Sequence, residues 1–326
     1  MAQRPTVDIL SGFLGSGKTT LLNRLLATGG LGETAVIVNE LGEIALDHLL
    51  VRQQTQTIAL LEGGCLCCEV ADSLPETLLE LRRASAGGEV PPFRRVVIET
   101  TGLADPAPIA TLVRRSPLLA HFFEPGAIAI TFDTIGGSAQ IDRHPEVRAQ
   151  LALADRIILT KLDEREPLSD EERRAITAIN PLAEIVTAEA IVANPVLLVS
   201  PPARQGVLPD VLSHGRHSHG VSAYSFEIGG HVSRAGLACW AVAIAALLGP
   251  ALLRVKGIVR IGSDAVLVQG VRSDIRFEAI DSGVAPVRSS LVCIVQDRER
   301  AAIERTLHWL GVPEGTQPLS PEDILG

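Results

Sequence analysis

The chain has 326 residues, with 29 Lys and Arg against 38 Asp and Glu, giving a formal net charge of −9. With 46% apolar and 21% charged residues it is no disordered chain, and the acidic balance disfavours nonspecific nucleic-acid binding, which depends on neutralising phosphates. Five cysteines at this length do not make a disulfide scaffold, yet three of them cluster at Cys65, Cys67 and Cys68.

The N-terminus has no apolar stretch ahead of a cleavage site, so no secretory signal is expected. Short apolar runs at 7–10, 35–38, 57–61, 95–99, 127–132 and 156–160 read as strands covered on both faces. Helical patterns at 18–27, 73–84, 106–115 and 145–154 lie between most of them. Such alternation predicts an α/β fold with a doubly wound, mostly parallel sheet. The stretch 200–220 shifts to Pro, Gly, Ser and His and reads as a linker. Strands at 223–228, 252–261, 265–271 and 291–296, with helices at 233–248 and 298–310, then form a smaller α+β domain. The expected organisation is therefore 1–205, a linker at 206–221, and 222–326. Residues 235–253 carry no charge over 19 positions, but seven are Ala and Gly249-Pro250 breaks the run after 14. A span needs about 20 strongly apolar residues, so this segment reads as a buried or interface helix. A soluble, cytoplasmic protein with reduced thiols and no membrane contact is expected.

Gly12-Phe13-Leu14-Gly15-Ser16-Gly17-Lys18-Thr19 fits the P-loop spacing and stands between a strand and a helix, the context that the motif needs. Gly12, Gly15 and Gly17 let backbone N–H groups curl toward phosphate oxygens, and the helix N-terminus adds its dipole. Lys18 should reach the β- and γ-phosphates, and the Thr19 hydroxyl should ligate Mg²⁺. Glu99, at the end of an apolar strand, could hold Mg²⁺ through water, and the Gly102 N–H could sense the γ-phosphate. The bland alternative for Glu99 is a strand-end carboxylate with no metal role. Thr160-Lys161-Leu162-Asp163 ends another strand. Asp163 can accept from both N1–H and the exocyclic amino group of guanine while the Lys161 stem covers the base, which disfavours adenine. A solvated loop of charges is the bland reading. The thiols of Cys65, Cys67 and Cys68 suit Zn²⁺ and other soft or borderline metals, and leave at least one ligand to come from elsewhere. Buried small apolar packing or a redox pair are the alternatives. Cys239 and Cys293 sit in apolar contexts and read as core.

Together these pieces resemble the CobW family of P-loop GTPases, through most of the chain. The run from Ser11 to Asn23, which includes Ser16 and Thr20, is similar to the family's P-loop. Asn39-Glu40-Leu41-Gly42-Glu43, with Asp47, resembles its switch I segment, and Cys65-Leu66-Cys67-Cys68 its C-x-C-C motif. Glu99-Thr100-Thr101-Gly102 with Leu103-Ala104-Asp105-Pro106 resembles Walker B and switch II, and Ala154-Asp155 ahead of Thr160 resembles the base-recognition region. The strands from Leu253-Arg254-Val255-Lys256-Gly257 onward are similar to the family's C-terminal domain. The resemblance implies a GTPase that carries a transition metal, zinc or cobalt, to a client metalloprotein, with Glu40, Cys65, Cys67 and Cys68 as the metal-site residues. Homo-oligomerisation is compatible with it. Thr160 stands where the family has Asn, a change expected to soften guanine affinity. No residue that orients the attacking water is identifiable, so slow intrinsic hydrolysis is expected. His214, His217 and His219 in the linker could bind metal or simply solvate it. Two alternatives stay open: a P-loop small-molecule kinase, and a non-enzymatic metal buffer in which the nucleotide is structural.

Overall fold

The structure is a computed structural model that describes residues 4–38, 56–60, 69–164, 168–199, 220–280 and 288–315. It divides into two compact units, one of Met1–Ser169 with Ala183–Ala203, the other of Asp170–Leu182 with Arg204–Gly326.

The first unit is built on seven strands: β1 Thr6–Gly12, β2 Thr34–Val38, β3 Gln56–Leu60, β4 Arg95–Glu99, β5 Glu124–Asp133, β6 Arg156–Thr160 and β7 Glu184–Thr187. Their order is β3-β2-β4-β1-β5-β6-β7, and every pairing is parallel. The helices of this unit are α1 Lys18–Ala27, α2 Glu69–Gly87, α3 Ala107–Arg115, α4 Pro117–Phe122, α5 Gly137–Arg143, α6 Pro145–Leu153, α8 Ala188–Ala193 and α9 Val196–Val199, while α7 Asp170–Ile179 falls in the second unit. The doubly wound parallel sheet expected from alternation is present, with β7 as an additional edge strand. Its strands are apolar on both faces: Val7, Ile9 and Leu10, Ala35 to Ile37, Val96 to Ile98 and Ile157 to Leu159 are all buried. One cluster packs Leu21, Leu22 and Leu25 of α1 against Leu10, Val36, Val97 and Ile158. Strands β2 to β4 lie on one side of β1 and β5 to β7 on the other, so the loop after β1 leaves at the switch point, where ligands bind in such sheets.

The second unit carries an antiparallel sheet ordered β11-β10-β9-β12-β8. Its strands are β8 Val221–Ile228, β9 Leu252–Ile261, β10 Asp264–Val271, β11 Asp274–Ile280 and β12 Ser289–Gln296, with helices α10 Arg234–Leu248 and α11 Arg300–Leu307. Sequence periodicity had identified all but β11. Residues two apart on a strand share a face, so Val255 and Val259 join the main core with Leu237, Trp240 and Ile244 of α10. Ile258 and Leu267 fall into a smaller cluster on the other face. The Trp240 indole N–H donates to Thr306 Oγ1 at 3.1 Å and ties α10 to α11. Ser233 caps α10 by accepting from the Gly236 N–H at 2.8 Å. Among the described residues, α10 with the turn after it is the one run long and apolar enough to cross a membrane. Its α-helical part covers 15 residues, about 22 Å against roughly 30 Å of hydrocarbon, and one face is buried in this core. Cys239 and Cys293 are fully buried, as expected, and burial pushes the Cys293 thiol up to about 12.

Candidate functional site

Because β1 and β4 are neighbours in register, Leu10 lies beside Glu99, and the loops after both strands open on the same sheet edge. The chain turns out of β1 at Gly12, with φ 141°. A Cβ there would stand 2.3 Å from Thr131 Oγ1 and 2.4 Å from its carbonyl oxygen, so only glycine lets the loop lie on β5. Gly15 and Gly17 also have positive φ, and Gly17 caps α1 in the left-handed region. Lys18 is buried and folds its Nζ back onto the carbonyl oxygens of Gly12 (2.8 Å) and Phe13 (3.0 Å). Thr19 Oγ1 donates to Glu99 Oε1 at 2.5 Å. A hydroxyl and a buried carboxylate in contact form a hard-oxygen pair of the kind that Mg²⁺ accepts, so the donor set fits that ion.

Lys18, Thr19, Thr20, Glu99, Gly102 and Lys161, drawn from three separate stretches of sequence, line one cleft of about 330 Å³. Leu14 and Leu103 form part of its wall and are 54% and 47% exposed. Ser16 points away from the cleft, its Oγ 2.7 Å from Thr131 Oγ1 in the buried layer below the loop. Lys161 adopts φ 57°, and its Nζ donates to Asp133 Oδ2 at 2.8 Å. Asp133 is buried and also accepts from the Ile135 N–H at 2.9 Å. Asp163 lies in the exposed turn that follows. Thr160 Oγ1 is within hydrogen-bond reach of the Ser16 carbonyl (2.9 Å) and the Phe132 carbonyl (3.1 Å), which ties the end of β6 to the phosphate loop.

The segment after Glu99 is held from two sides. Thr100 Oγ1 donates to Ser11 Oγ at 2.7 Å, and Gln150 Nε2 donates to the carbonyls of Gly102 and Ala104. A Cβ on Gly102 would stand 2.6 Å from Leu14 N, so glycine allows this segment to rest on the phosphate loop. Gln150, Asp133 and Thr131 were not identified from sequence. The signal available for Gln150 was an amide on the buried face of α6 beside Val147 and Leu151. Asp155 lies at the opposite end of the strands from the cleft, where its Oδ2 accepts from the Ile128 N–H at 3.1 Å.

Glu40, Cys65, Cys67 and Cys68, with Asn39, Glu43 and Asp47, lie outside the described residues, as do His214, His217 and His219. The strands that lead into the first group are described. Register sets Leu60 beside Val38, Val38 beside Glu99 and Glu99 beside Leu10, one row across four strands. The chain therefore leaves β2 toward Glu40, and β3 toward the cysteines, at the edge that carries the cleft.

A family model described as the CobW/HypB/UreG nucleotide-binding domain matches residues 6–187, and one described as the cobalamin synthesis protein cobW C-terminal domain matches 221–310. Over 158 residues the chain is 39% identical to the zinc chaperone YjiA of Escherichia coli, covering 48% of this chain and 49% of that protein. Over 189 residues it is 32% identical to zinc-regulated GTPase metalloprotein activator 1 of Schizosaccharomyces pombe, covering 55% of this chain and 44% of that one. The chain thus spans about half the length, or less, of the curated relatives it matches. The crystal structure of zinc(II)-bound YjiA GTPase from Escherichia coli shares the fold, with a TM-score of 0.70 at 24% identity over 94% of this chain and 99% of that one.

Proposed function

The chain belongs to the CobW/HypB/UreG family, and from that premise we propose that it is a GTP-hydrolysing metallochaperone, with zinc the favoured cargo and cobalt the second. Lys18 and the N–H groups of the phosphate loop hold the β- and γ-phosphates. Thr19 and Glu99 are the residues to hold Mg²⁺, which would neutralise charge on the transferring phosphoryl group. Lys161 and Asp163 select guanine. Glu40, Cys65, Cys67 and Cys68 take the cargo metal, and an unidentified client metalloprotein receives it. Clustered thiols suit the reducing cytoplasm. The GTPase domain is taken as 1–205 and the C-terminal domain as 222–326.

The observation that carries this reading is the row Leu60–Val38–Glu99–Leu10. Neighbouring strands lie about 4.8 Å apart, so the exit toward the cysteines is two strand spacings, roughly 10 Å, from Glu99. A change at the γ-phosphate can therefore reach the thiolate ligands through one sheet edge, as switch segments do elsewhere. The zinc chaperones among the relatives support the choice of metal.

The test is a titration of Zn²⁺ and Co²⁺ in GTP and in GDP, with phosphate release followed in parallel. Metal affinity is expected to differ between the two nucleotides, and nucleotide affinity to shift by the same factor with metal, because coupling is reciprocal. A chain carrying Cys65→Ala, Cys67→Ala and Cys68→Ala together is expected to lose tight metal binding. Equal metal affinity in that variant sinks the metal assignment. Phosphoryl transfer to an acceptor other than water would identify a kinase, and tight GTP binding with no hydrolysis, with or without metal, would identify a buffer.

A further inference from the structure

Helix α6 touches both segments that meet at the phosphates. At its start the His144 ring lies against Phe13 of the phosphate loop, with centroids 4.5 Å apart. Further along, Gln150 is 1% exposed and sends Nε2 to the carbonyl oxygens of Gly102 (3.1 Å) and Ala104 (3.0 Å). Two acceptors on one side fix the amide: its nitrogen faces the segment and its oxygen faces away. That oxygen is buried with no hydrogen-bond partner among the described residues. An amide stands on the apolar face of α6, beside buried Val147 and Leu151, for the sake of its two N–H donors.

We propose that Gln150 is a positioning residue that holds the Gly102–Ala104 segment against the phosphate loop and so sets the preference for nucleoside triphosphate over diphosphate. The inference rests on the GTPase reading above and deepens it. Each carbonyl that Gln150 holds also fixes the N–H of the same peptide, since no cis peptide is present among the described residues. Gln150 thereby orients the peptide linking Gly102 to Leu103, and both residues line the cleft. Gly102 already rests on the Leu14 backbone, so the segment is prepositioned next to the loop that takes the phosphates. Groups that meet only the third phosphate gain from being fixed in advance, while a diphosphate makes no use of them.

The experiment compares GDP and GTPγS affinities for the full chain and for Gln150→Met, which keeps the length of the side chain and removes both donors. GTPγS binding is expected to weaken at least fivefold and GDP binding to change less than twofold, with slower GTP hydrolysis. A merely structural role would lower the Tm and weaken both nucleotides alike. A GTPγS-to-GDP ratio within twofold of the unsubstituted chain, or one moved toward GTPγS, overturns the proposal. If Gln150→Met does not fold, Gln150→Glu is read by the same criterion. On the unsubstituted chain, the Gln150 side-chain amide protons are expected to stay protected from exchange with either nucleotide bound, and loss of that protection in GTPγS also overturns it. Failure of the unsubstituted chain to bind either nucleotide overturns the GTPase reading and this one with it. A ratio unchanged while binding persists removes Gln150 alone.

Discussion

Asp8 is a carboxyl group placed in the middle of a strand and buried far from the cleft. Its Oδ1 accepts from the Ala127 N–H at 2.8 Å and its Oδ2 from Thr6 Oγ1 at 3.1 Å. Burial outweighs both bonds and, with a small push from Asp155 opposed by Arg95, raises its pKa from 3.8 to about 7. The folded state thus holds this proton more tightly than the unfolded chain. Its contribution is complete below about pH 4 and is lost as pH rises to about 7. Asn keeps the Ala127 bond without a charge. Asp8→Asn is therefore expected to be more stable than the native chain at pH 8, by up to a few kcal/mol, with the difference closing toward pH 5. Urea unfolding of both chains at pH 5, 6.5 and 8 checks this, and parallel curves would refute it. Thr160 poses a second residue-scale question, because the family pattern has Asn there. Its hydroxyl reaches the Ser16 carbonyl. Thr160→Val keeps the shape and removes a bond worth about 1 kcal/mol. GTP and GDP affinities are expected to fall together, about fivefold, measured by calorimetry. Lys18, Thr19 and Glu99 were legible because each stands in a consecutive motif. Asp133 and Gln150 were not, because their partners at Lys161, Gly102 and Ala104 are distant in sequence and close only through packing.

Among the elements, those with long apolar runs were readable and those defined by their neighbours were not. Strand β7 has four residues, Glu184–Thr187, and little periodicity of its own. It is a strand because Arg156 lies opposite Glu184 in the β6 register. The two side chains pair at 2.5 Å, with Arg156 2% and Glu184 42% exposed. Half-solvated, this pair is weaker than a fully buried one, so Glu184→Ala is expected to destabilise by about 1–2 kcal/mol and to fray the β7 edge first, seen as faster exchange of amides 184–187. Strand β11 escaped notice for another reason. It joins β10 through Arg272 at φ 53°, where hairpin turns commonly have Gly or Asn, and none of its residues is fully buried. The run from Asp274 to Ala279 alternates polar and apolar residues as a strand does, but a turn without glycine leaves the hairpin unmarked.

For the molecule as a whole, the expected boundary near 205 follows composition, whereas compactness groups α7 with the residues after 204. Helix α7 bears Asp170, Glu171 and Glu172 in its first turn, where they favour the helix dipole, and buries Ile176 and Ile179 completely. It packs against β8. A fragment ending at 205 keeps α7 and removes β8. It is expected to bind more of a hydrophobic dye and to melt at a lower temperature than the full chain, and equal values would show that α7 needs no such partner. The sequence by itself determined the phosphate-loop motif and the kinds of element, because a phosphate loop is eight adjacent residues and a buried strand or amphipathic helix declares itself within a single window. Tertiary structure alone decided the strand order that sets Leu60, Val38, Glu99 and Leu10 in one row, the hold of Gln150 on Gly102 and Ala104, and the grouping of α7. Each of these joins residues far apart in the chain, and such pairs are chosen by packing and hydrogen-bond geometry, which no local pattern encodes.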